Sequence, residues 1–218
     1  GDSAIAGSIN IITKRGEGKP KGDVSFIGGS YNTYDGRAGI RGSADKVYYA
    51  LSGEGLTTSG YRDRSKFTSG SAGGSIGYNP MDALDVSLGI SFNRTDNQFP
   101  GALTKAQLDA NRKQAQNPDD DARADFFDAN LLVKTILGNF GRLDTNLIYG
   151  IREVTSNYAS FPSFTEIDID TIGATPRYIL DRKLFGFDNK LTVGFDFYRD
   201  KLTKDTFTDR EHTSRTFE

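Results

Sequence analysis

The chain has 218 residues, a formal net charge of −2, one histidine and no cysteine. This composition excludes disulfide frameworks and the commonest zinc sites, and the near-neutral charge disfavours a dedicated nucleic-acid-binding domain, which is normally basic. No run approaches the roughly 18 apolar residues of a membrane helix. A transmembrane β-barrel remains compatible with the composition, because its strands alternate lipid-facing and interior residues.

The first predicted element is a short apolar strand at residues 9–13, which runs directly into Lys14 and Arg15. Residues 16–22 follow, with three glycines and one proline, and such a stretch has little reason to hold regular structure. We therefore predict that residues 1–15 end one domain, that residues 16–22 are a linker, and that residues 23–218 form a second unit. Alternatively, residues 9–13 are an ordinary edge strand that ends in a protective cation.

From residue 23 onward the dominant pattern is strict alternation of apolar and polar residues, which predicts β-strands. The clearest example is residues 84–93, where Leu84, Val86, Leu88, Ile90 and Phe92 share one face and Asp85, Ser87, Gly89, Ser91 and Asn93 the other. Similar stretches recur along the chain, at residues 35–43, 47–54, 127–134, 143–152 and 190–197, with weaker ones near 22–31, 69–78 and 170–180. About nine strands are predicted, with the start of a tenth.

The predicted connections alternate in length. Tight turns fall at residues 43–46, 79–83, 137–141 and 182–187, whereas longer loops fall near residues 57–68, 95–121 and 155–169. Long loops at one end and short turns at the other predict an all-β antiparallel meander of the outer-membrane barrel type. Aromatic residues beside the turns predict an interfacial girdle, formed by Tyr78, Phe140, Tyr178, Phe185 and Phe187. A soluble β-sandwich, whose strands also alternate apolar and polar residues, or a solenoid is the alternative fold.

Two sets of side chains are candidates for binding. The predicted long loops offer ligand-contacting residues, namely Tyr61, Arg62, Arg64, Gln98, Phe99 and Arg112. Charged residues at interior-facing strand positions could contact a domain inside the barrel or an anionic ligand, and these are Arg37, Arg41, Glu54, Lys134 and Arg152. Residues 103–116 favour a helix with Thr104 as its N-cap, either a ligand-contacting element or a simple exposed helix.

No catalytic residue, metal site or cofactor is predicted, and the chain is not expected to be an enzyme. The single imidazole, His212, lies in a charged run at residues 208–215 that we interpret as an extracellular loop. The acidic stretch Asn117–Asp125 lacks the spacing of a calcium loop, so we interpret it as a solvated loop, with loose divalent-ion or lipopolysaccharide contacts as the alternative.

Three stretches resemble TonB-dependent outer-membrane receptors of the siderophore type. Residues 6–16, AGSINIITKRG, closely resemble the stretch that closes the plug domain of that family and leads into the first barrel strand. Residues 97–104, NQFPGALT, are similar to a loop of iron-siderophore receptors, and residues 190–200 resemble a mid-barrel strand. The resemblance implies the end of a plug at residues 1–15, then the N-terminal portion of a 22-strand type transmembrane β-barrel at residues 23–218.

The resemblance also implies a function and a location. The expected protein is a bacterial outer-membrane receptor that takes up a ferric siderophore or a similar scarce ligand. The expected partners are outer-membrane lipid, lipopolysaccharide and the TonB energy-transducing complex, which acts through a region missing from this chain, and no nucleic acid. A passive porin or an adhesive barrel is the alternative. Because nine strands cannot close a receptor-sized barrel, the chain is expected to be a segment of a longer polypeptide.

Overall fold

The computed structural model describes residues 15–184 and 186–216, which form an antiparallel meander. The predicted strand at residues 9–13, Lys14 and Phe185 lie outside the described residues. The strand segments are β1 (Lys21–Gly29), β2 (Thr33–Ala44), β3 (Val47–Thr58), β4 (Phe67–Met81), β5 (Leu84–Gln98), β6 (Asp121–Ile136), β7 (Arg142–Tyr158), β8 (Ser163–Leu184), β9 (Phe187–Gly194) and β10 (Phe197–Phe207). One short helix, α1 (Lys105–Ala110), lies between β5 and β6.

Segments β9 and β10 are two parts of one strand. Both pair with β8 in the same register, since Val193 lies opposite Tyr178 and Phe197 opposite Ala174. The interruption lies at Pro176, whose carbonyl accepts a bond of 3.3 Å from the N–H of Phe195. Proline has no N–H, so the reciprocal bond cannot form and the ladder breaks there. The sheet is therefore nine strands wide, in agreement with the prediction.

The sheet has an apolar face and a polar face, as the alternation predicts. Leu88 of β5 lies in a cross-strand row with Ile76, Leu131 and Leu147, and the rows on either side of it are also mostly apolar. The polar face carries the intervening residues, which in β5 are Asp85, Ser87, Gly89, Ser91 and Asn93. We call the rows from Leu84 to Phe92 on the apolar face the apolar band.

The sheet is a single layer, and its apolar band is exposed. Large apolar side chains on that face remain open, with Leu51 57%, Ile76 56% and Phe92 53% exposed. The accessible surface is 15295 Å², whereas a compact monomer of this mass would expose about 9,900 Å². Among the described residues no second sheet packs on either face, which argues against the sandwich and favours a barrel wall whose apolar face meets lipid.

Above the apolar band the same face becomes charged. Arg94 follows Phe92 on this face of β5 and donates from Nε to Asp125 at 2.5 Å, and Arg123 donates from Nε to Asp96 at 2.7 Å. Charged pairs at this height are expected where strands project beyond the hydrocarbon of a bilayer. The change from apolar to charged side chains therefore marks the upper edge of the band.

The two ends of the sheet differ in their connections. The turn end has short connections at residues 45–46, 82–83 and 137–141, and β9 follows β8 closely. The loop end carries connections at residues 30–32, 59–66, 99–120 and 159–162, followed by residues 208–214 after β10. The longest connections are thus at one end, as predicted, but each is shorter than expected.

Two sequence-based boundaries are wrong. The medium loop expected at residues 155–169 is a connection of four residues, 159–162, because the pairing of β7 with β8 continues up to Tyr158 and Ser163. The helix expected at residues 103–116 is limited to α1, although Thr104 caps it as predicted. None of the helices in the described part of the chain is long and apolar enough to cross a membrane.

Aromatic side chains flank the turn end. Phe140 and Phe187 are 76% and 75% exposed, and Tyr78 is 48% exposed. The hydroxyl of Tyr178 donates to the carbonyl of Phe140, which ties two of them together. This is the placement expected of an interfacial aromatic girdle.

Candidate functional site

The loop end holds two connections together through Arg62. This residue lies in the 59–66 connection, and its guanidinium donates to carbonyls of the 99–120 connection: to Gly101 at 2.6 Å, to Pro100 at 3.2 Å, and twice to Gln114 at 2.8 and 3.2 Å. Backbone carbonyls in an irregular loop need such donors because no ladder supplies them. Arg62 therefore positions the longest loop.

A capping box orders the start of the longest loop. The Thr104 hydroxyl accepts from the N–H of Gln107 at 3.3 Å, and the Gln107 side chain accepts from the N–H of Thr104 at 2.9 Å. This reciprocal pair satisfies two backbone donors that a helix start otherwise leaves free. Just before it, Gly101 has φ of +72°, a left-handed conformation that glycine adopts without strain.

Asp120 is the most buried side chain of the loop end, at 2% exposed. Its carboxylate accepts from the N–H of Ser160 and from Nδ2 of Asn117, each at 2.9 Å, and from the Ser160 hydroxyl. Its carbonyl accepts from the N–H of Phe99 at 3.0 Å. Asp120 therefore joins the 99–120 and 159–162 connections, and the interpretation of this acidic stretch as solvated is wrong at this residue.

The environment of Asp120 favours its ionised form. Burial by itself raises the pKa of this carboxyl, but the bonds from the side chain and backbone of Ser160 and from Asn117 outweigh it, so the net pKa lies below the ordinary value. The carboxylate is therefore charged at neutral pH, with donors on both oxygens. A charged, saturated carboxylate of this kind fixes loops rather than offering itself to a ligand.

Two groups of aromatic rings lie at the loop end. In one, Tyr31 and Tyr61 meet edge to face at 5.7 Å, and Nζ of Lys113 lies 5.8 Å from the Tyr61 ring centre. In the other, Tyr158 contacts Phe99 at 5.8 Å and stacks on Phe161 at 5.2 Å. Tyr61 is 47% and Phe161 62% exposed, so each group presents an open ring. We call these rings the aromatic platforms.

The six predicted ligand-contacting residues have different surroundings. Tyr61 and Phe99 belong to the aromatic platforms, whereas the guanidinium of Arg62 is occupied by carbonyls. Arg64 has φ of +56° and is half-buried. Gln98 ends β5 and is half-buried, and Arg112 is exposed. Their role in binding stays a prediction, and sequence reasoning missed Tyr31, Lys113, Tyr158 and Phe161, which only the fold brings together.

The five predicted interior charges all lie on the polar face. Arg37 donates twice to Asp35, at 3.0 and 2.8 Å, and lies 3.8 Å from Glu54. Arg41 lies 3.6 Å from Asp23. Lys134 is paired in register with Asp85 and Asp144, and Arg152 with Phe126 and Ile169. Contact of these side chains with a plug stays a prediction.

The linker is attached to the turn end on the polar face. The Arg15 guanidinium lies 3.5 Å from the centre of the Tyr48 ring and donates to Oδ2 of Asp85 at 2.7 Å, while the Tyr48 hydroxyl donates to Oδ1 at 2.7 Å. The ring covers Gly77, where an added Cβ would lie 2.0 Å from it. The N–H of Ser43 donates to the carbonyl of Gly18 at 2.8 Å. We call these three side chains, Arg15, Tyr48 and Asp85, the rim clamp.

Comparison with known proteins identifies the fold. No protein-family model matches the sequence. The ferric citrate transporter FecA in its unliganded form superposes with a TM-score of 0.76 at 17% identity, over 90% of this chain and 31% of that one. The copper transporter OprC superposes with a TM-score of 0.71 at 13% identity, over 94% of this chain and 32% of that one. The outer-membrane ferripyoverdine receptor of Pseudomonas aeruginosa superposes with a TM-score of 0.68 at 12% identity, over 93% of this chain and 31% of that one.

These solved structures are all outer-membrane receptors, and this chain spans about a third of their length. At such identities the similarity concerns the fold, and it extends over nearly all of the chain. The single-layer meander, its apolar band and its unequal ends match that assignment. The chain therefore has the fold of TonB-dependent outer-membrane receptor barrels, as predicted from its sequence.

Proposed function

We propose that this chain is part of a bacterial outer-membrane receptor that takes up a scarce ligand, with a ferric siderophore as the first candidate and TonB as the source of energy. The observation that carries the proposal is the asymmetry of the wall. One end has connections ordered by Arg62 and Asp120 that present open aromatic rings, and the other end has short turns and an attached linker. An ordered loop surface above a membrane wall suits ligand capture.

The linker supports the predicted division of the chain. Arg15 lies on the polar face at the turn end, which is where a chain leaving the inside of a barrel would join the wall. In this proposal residues 1–15 end the plug and residues 16–22 form the linker, of which Lys21 and Gly22 already pair with β2 as the start of β1 and so of the barrel wall. The five interior charges, including Arg37 and Glu54, then contact the plug.

The apolar band and the charges above it support the membrane partners. The band would meet outer-membrane lipid, and the charged pairs Arg94–Asp125 and Arg123–Asp96 would lie at the height of the lipopolysaccharide head groups. The proposed receptor has no catalytic role, because it binds and passes its ligand unchanged.

Uptake of radiolabelled iron complexes by cells that produce the intact protein tests the proposal. The panel would include hydroxamate, catecholate and citrate complexes and a copper complex, in strains with and without TonB. We expect uptake of at least one complex that is lost without TonB. TonB-independent passage of small solutes in a liposome-swelling assay, with no such uptake, would favour the porin instead.

A pair of aromatic variants tests the site. The double variant Tyr61→Ala and Phe161→Ala should lower the affinity for the transported complex, since each exposed ring contributes contact area at the loop end. The matched control is Tyr78→Ala, which removes an exposed ring of the turn end. Equal affinities of the two variants would exclude the aromatic platforms from binding.

A further inference from the structure

Arg64, in the 59–66 connection, is a half-buried cation without a protein partner. Its Nε is buried and makes no hydrogen bond, and no hydrogen bond or ion pair joins its guanidinium to another described residue. Arg62, two positions earlier, is also half-buried but donates to three carbonyls. A buried N–H without an acceptor is unfavourable, and an arginine cannot lose its charge to relieve the cost. Arg64 therefore keeps a positive charge for which the wall and the loops supply no acceptor.

The backbone of the same surface is strained at two positions. Arg64 has φ of +56° and Tyr31 has φ of +61°, in the left-handed region that residues with a Cβ rarely adopt. Local hydrogen bonds hold both conformations: the Ser65 hydroxyl donates to the carbonyl of Arg62 at 2.6 Å, and the carbonyl of Tyr31 accepts from the N–H of Ser59 at 2.8 Å. Such strain persists only where the surroundings impose it, and it collects at ligand sites.

Arg64 belongs to the surface that carries the Tyr31 and Tyr61 rings. Tyr61 and Arg64 are in one turn, residues 61–64, and the two tyrosine rings meet at 5.7 Å. Within this turn the N–H of Asp63 donates to the carbonyl of Lys113 at 2.7 Å, and Nζ of Lys113 lies 5.8 Å from the Tyr61 ring centre. Two cationic residues therefore accompany the exposed ring of Tyr61. We call Tyr31, Tyr61, Arg64 and Lys113 the cationic platform.

Positive charge dominates the two segments that form most of this platform. Residues 59–66 and 99–116 contain six cationic residues and two acidic ones. The cationic residues are Arg62, Arg64, Lys66, Lys105, Arg112 and Lys113. Of the two acids, Asp109 lies 3.4 Å from Lys105 and offsets it, whereas Asp63 is exposed. The two segments therefore carry an excess of positive charge that the neighbouring carboxylates do not cancel.

The other group of rings has the opposite surroundings. Tyr158 and Phe161 adjoin the acidic stretch Asp119–Asp121, because the N–H of Ser160 donates to the carboxylate of Asp120. Arg210 reaches this stretch, but it is engaged by the Asp121 carboxylate and the Asp119 carbonyl. The two groups of rings therefore differ in charge, and an anion should accumulate at the cationic platform rather than beside the acidic stretch.

We propose that the cationic platform recognises a carboxylate of the transported ligand, which reaches the receptor as an anion. The planar fork of a guanidinium matches the two oxygens of a carboxylate, so such a group would satisfy Arg64 where the protein does not. The exposed ring of Tyr61 adds apolar contact beside the charges. This inference rests on the proposed function, because it takes the ligand to be transported, and it adds the chemical class: a complex with net negative charge and a free carboxylate.

Charged nitroxides test the platform without reference to transport. Three probes share one five-membered ring and carry a carboxylate, a neutral amide or an amine, and their relaxation effect is measured on a ¹⁹F tag in the intact protein in nanodiscs. A tag on Ser30→Cys reports on the cationic platform and one on Ala159→Cys on the other rings, in a chain that has no other cysteine. At residue 30 the carboxylate probe should act roughly threefold more strongly than the amide probe, with no such excess at residue 159.

The variant Arg64→Gln shows which residue causes that excess. It should reduce the excess at residue 30 to about half or less, because the unpaired charge is lost. The matched control is Lys105→Gln, which removes an equal charge from the 99–120 connection but one that Asp109 offsets, and it should leave the excess nearly unchanged. Equal effects of the carboxylate and amide probes at residue 30, or an excess that survives Arg64→Gln, would overturn the proposal.

Uptake tests the class of ligand. Among the iron and copper complexes of the uptake panel, we expect TonB-dependent uptake of a complex with a free carboxylate. Its affinity should fall about tenfold in Arg64→Gln and recover in part in Arg64→Lys, because lysine restores the charge without the planar fork. Amidation of the ligand carboxylate should weaken binding to the native protein and have little effect in Arg64→Gln.

The outcomes separate this inference from the proposed function. Uptake restricted to complexes without a free carboxylate would overturn the inference and leave the receptor function standing. A carboxylate excess at residue 30 without uptake of any complex would support an anion site and count against the receptor function alone.

Discussion

The turn end and the loop end use polar side chains differently. At the turn end the backbone hydrogen bonds between strands continue almost to the turn residues. The rim clamp adds side-chain contacts there that are partly exposed, with the Arg15 side chain 39% exposed. At the loop end, Asp120 is 2% exposed and Arg62 bonds to three carbonyls. Where the ladder stops, buried side chains must satisfy the backbone. The loop end therefore depends on a few residues in a way that the turn end does not.

Both ends are attached to one wall, and Leu88→Arg tests most strongly whether that wall is held in a bilayer. Leu88 lies at the middle of the apolar band, where a lipid-facing arginine costs about 2–4 kcal/mol. The measurement is the free energy of unfolding from lipid vesicles. Ser91→Arg, on the polar face of the same strand, is the matched control and should cost far less. A larger cost for Ser91→Arg would mean that the faces are assigned the wrong way round, and equal costs would overturn the register.

Asp120→Ala should produce the largest local effect at the loop end. It leaves the N–H of Ser160 and the amide of Asn117 without their acceptor, a loss of about 1–3 kcal/mol. We expect faster hydrogen exchange at Ser160 and Phe99 with unchanged exchange in β5. Asp119→Ala removes an exposed neighbouring carboxylate and serves as the control. Similar exchange in both variants would remove Asp120 as the organiser of the loops.

Protonation of Asp120 in acid should speed hydrogen exchange at Ser160, as Asp120→Ala does, but only at low pH. Because the pKa of Asp120 lies below its ordinary value, its contribution is present at neutral pH and is lost as pH falls through the lowered pKa. Protection of the Ser160 amide should persist down to about pH 4, the ordinary range of aspartate, and disappear below it. Loss of protection already at pH 6 would contradict this assignment.

Arg62→Lys separates charge from geometry. Lysine keeps the positive charge but cannot span the carbonyls of Gly101, Pro100 and Gln114 as the planar guanidinium does. We expect a loss of about 1 kcal/mol in the local stability of the 99–120 connection, measured by exchange of the Asp63 amide, which bonds to Lys113. The control is Arg112→Lys, at an exposed arginine of the same connection, which should leave the exchange of the Asp63 amide unchanged.

Arg15→Ala should have the smallest effect. Because the Arg15 side chain is partly exposed, its contact with the Tyr48 ring and its ion pair with Asp85 together contribute about 0.5 kcal/mol. We expect greater proteolytic cleavage of the linker and unchanged stability of the wall. Lys19→Ala is the control. A collapse of the whole wall in Arg15→Ala would show that the turn end depends on single side chains as much as the loop end does.

The wall could be predicted from sequence because its signal is local. The alternation in β5 assigns Leu88 and Ser91 to opposite faces, because successive side chains along a strand point to opposite faces of the sheet. For the upper part of β7 the sequence predicts a loop instead of a strand, because Thr155, Ser156 and Asn157 are polar. Above the apolar band both faces tolerate polar side chains, so composition no longer distinguishes strand from loop there.

The loop end could not be predicted because its contacts join distant residues. Arg62 bonds to carbonyls 38 to 52 positions away, and Asp120 to a serine 40 positions away. Nothing in the local sequence distinguishes Arg62 from Arg64, or Asp120 from Asp119. The capped start of α1 was predictable, because Thr104 and Gln107 are only three residues apart.

The proline in β8 has a mechanical consequence. With no N–H at Pro176, the strand formed by β9 and β10 is joined to β8 by two ladders, one on each side of the break, rather than by one continuous ladder. Shear between neighbouring strands is resisted by the bonds in register, so a missing bond lowers the stiffness locally. The wall therefore contains a compliant point beside Phe195, at which a lateral load bends it before it stretches the intact ladders.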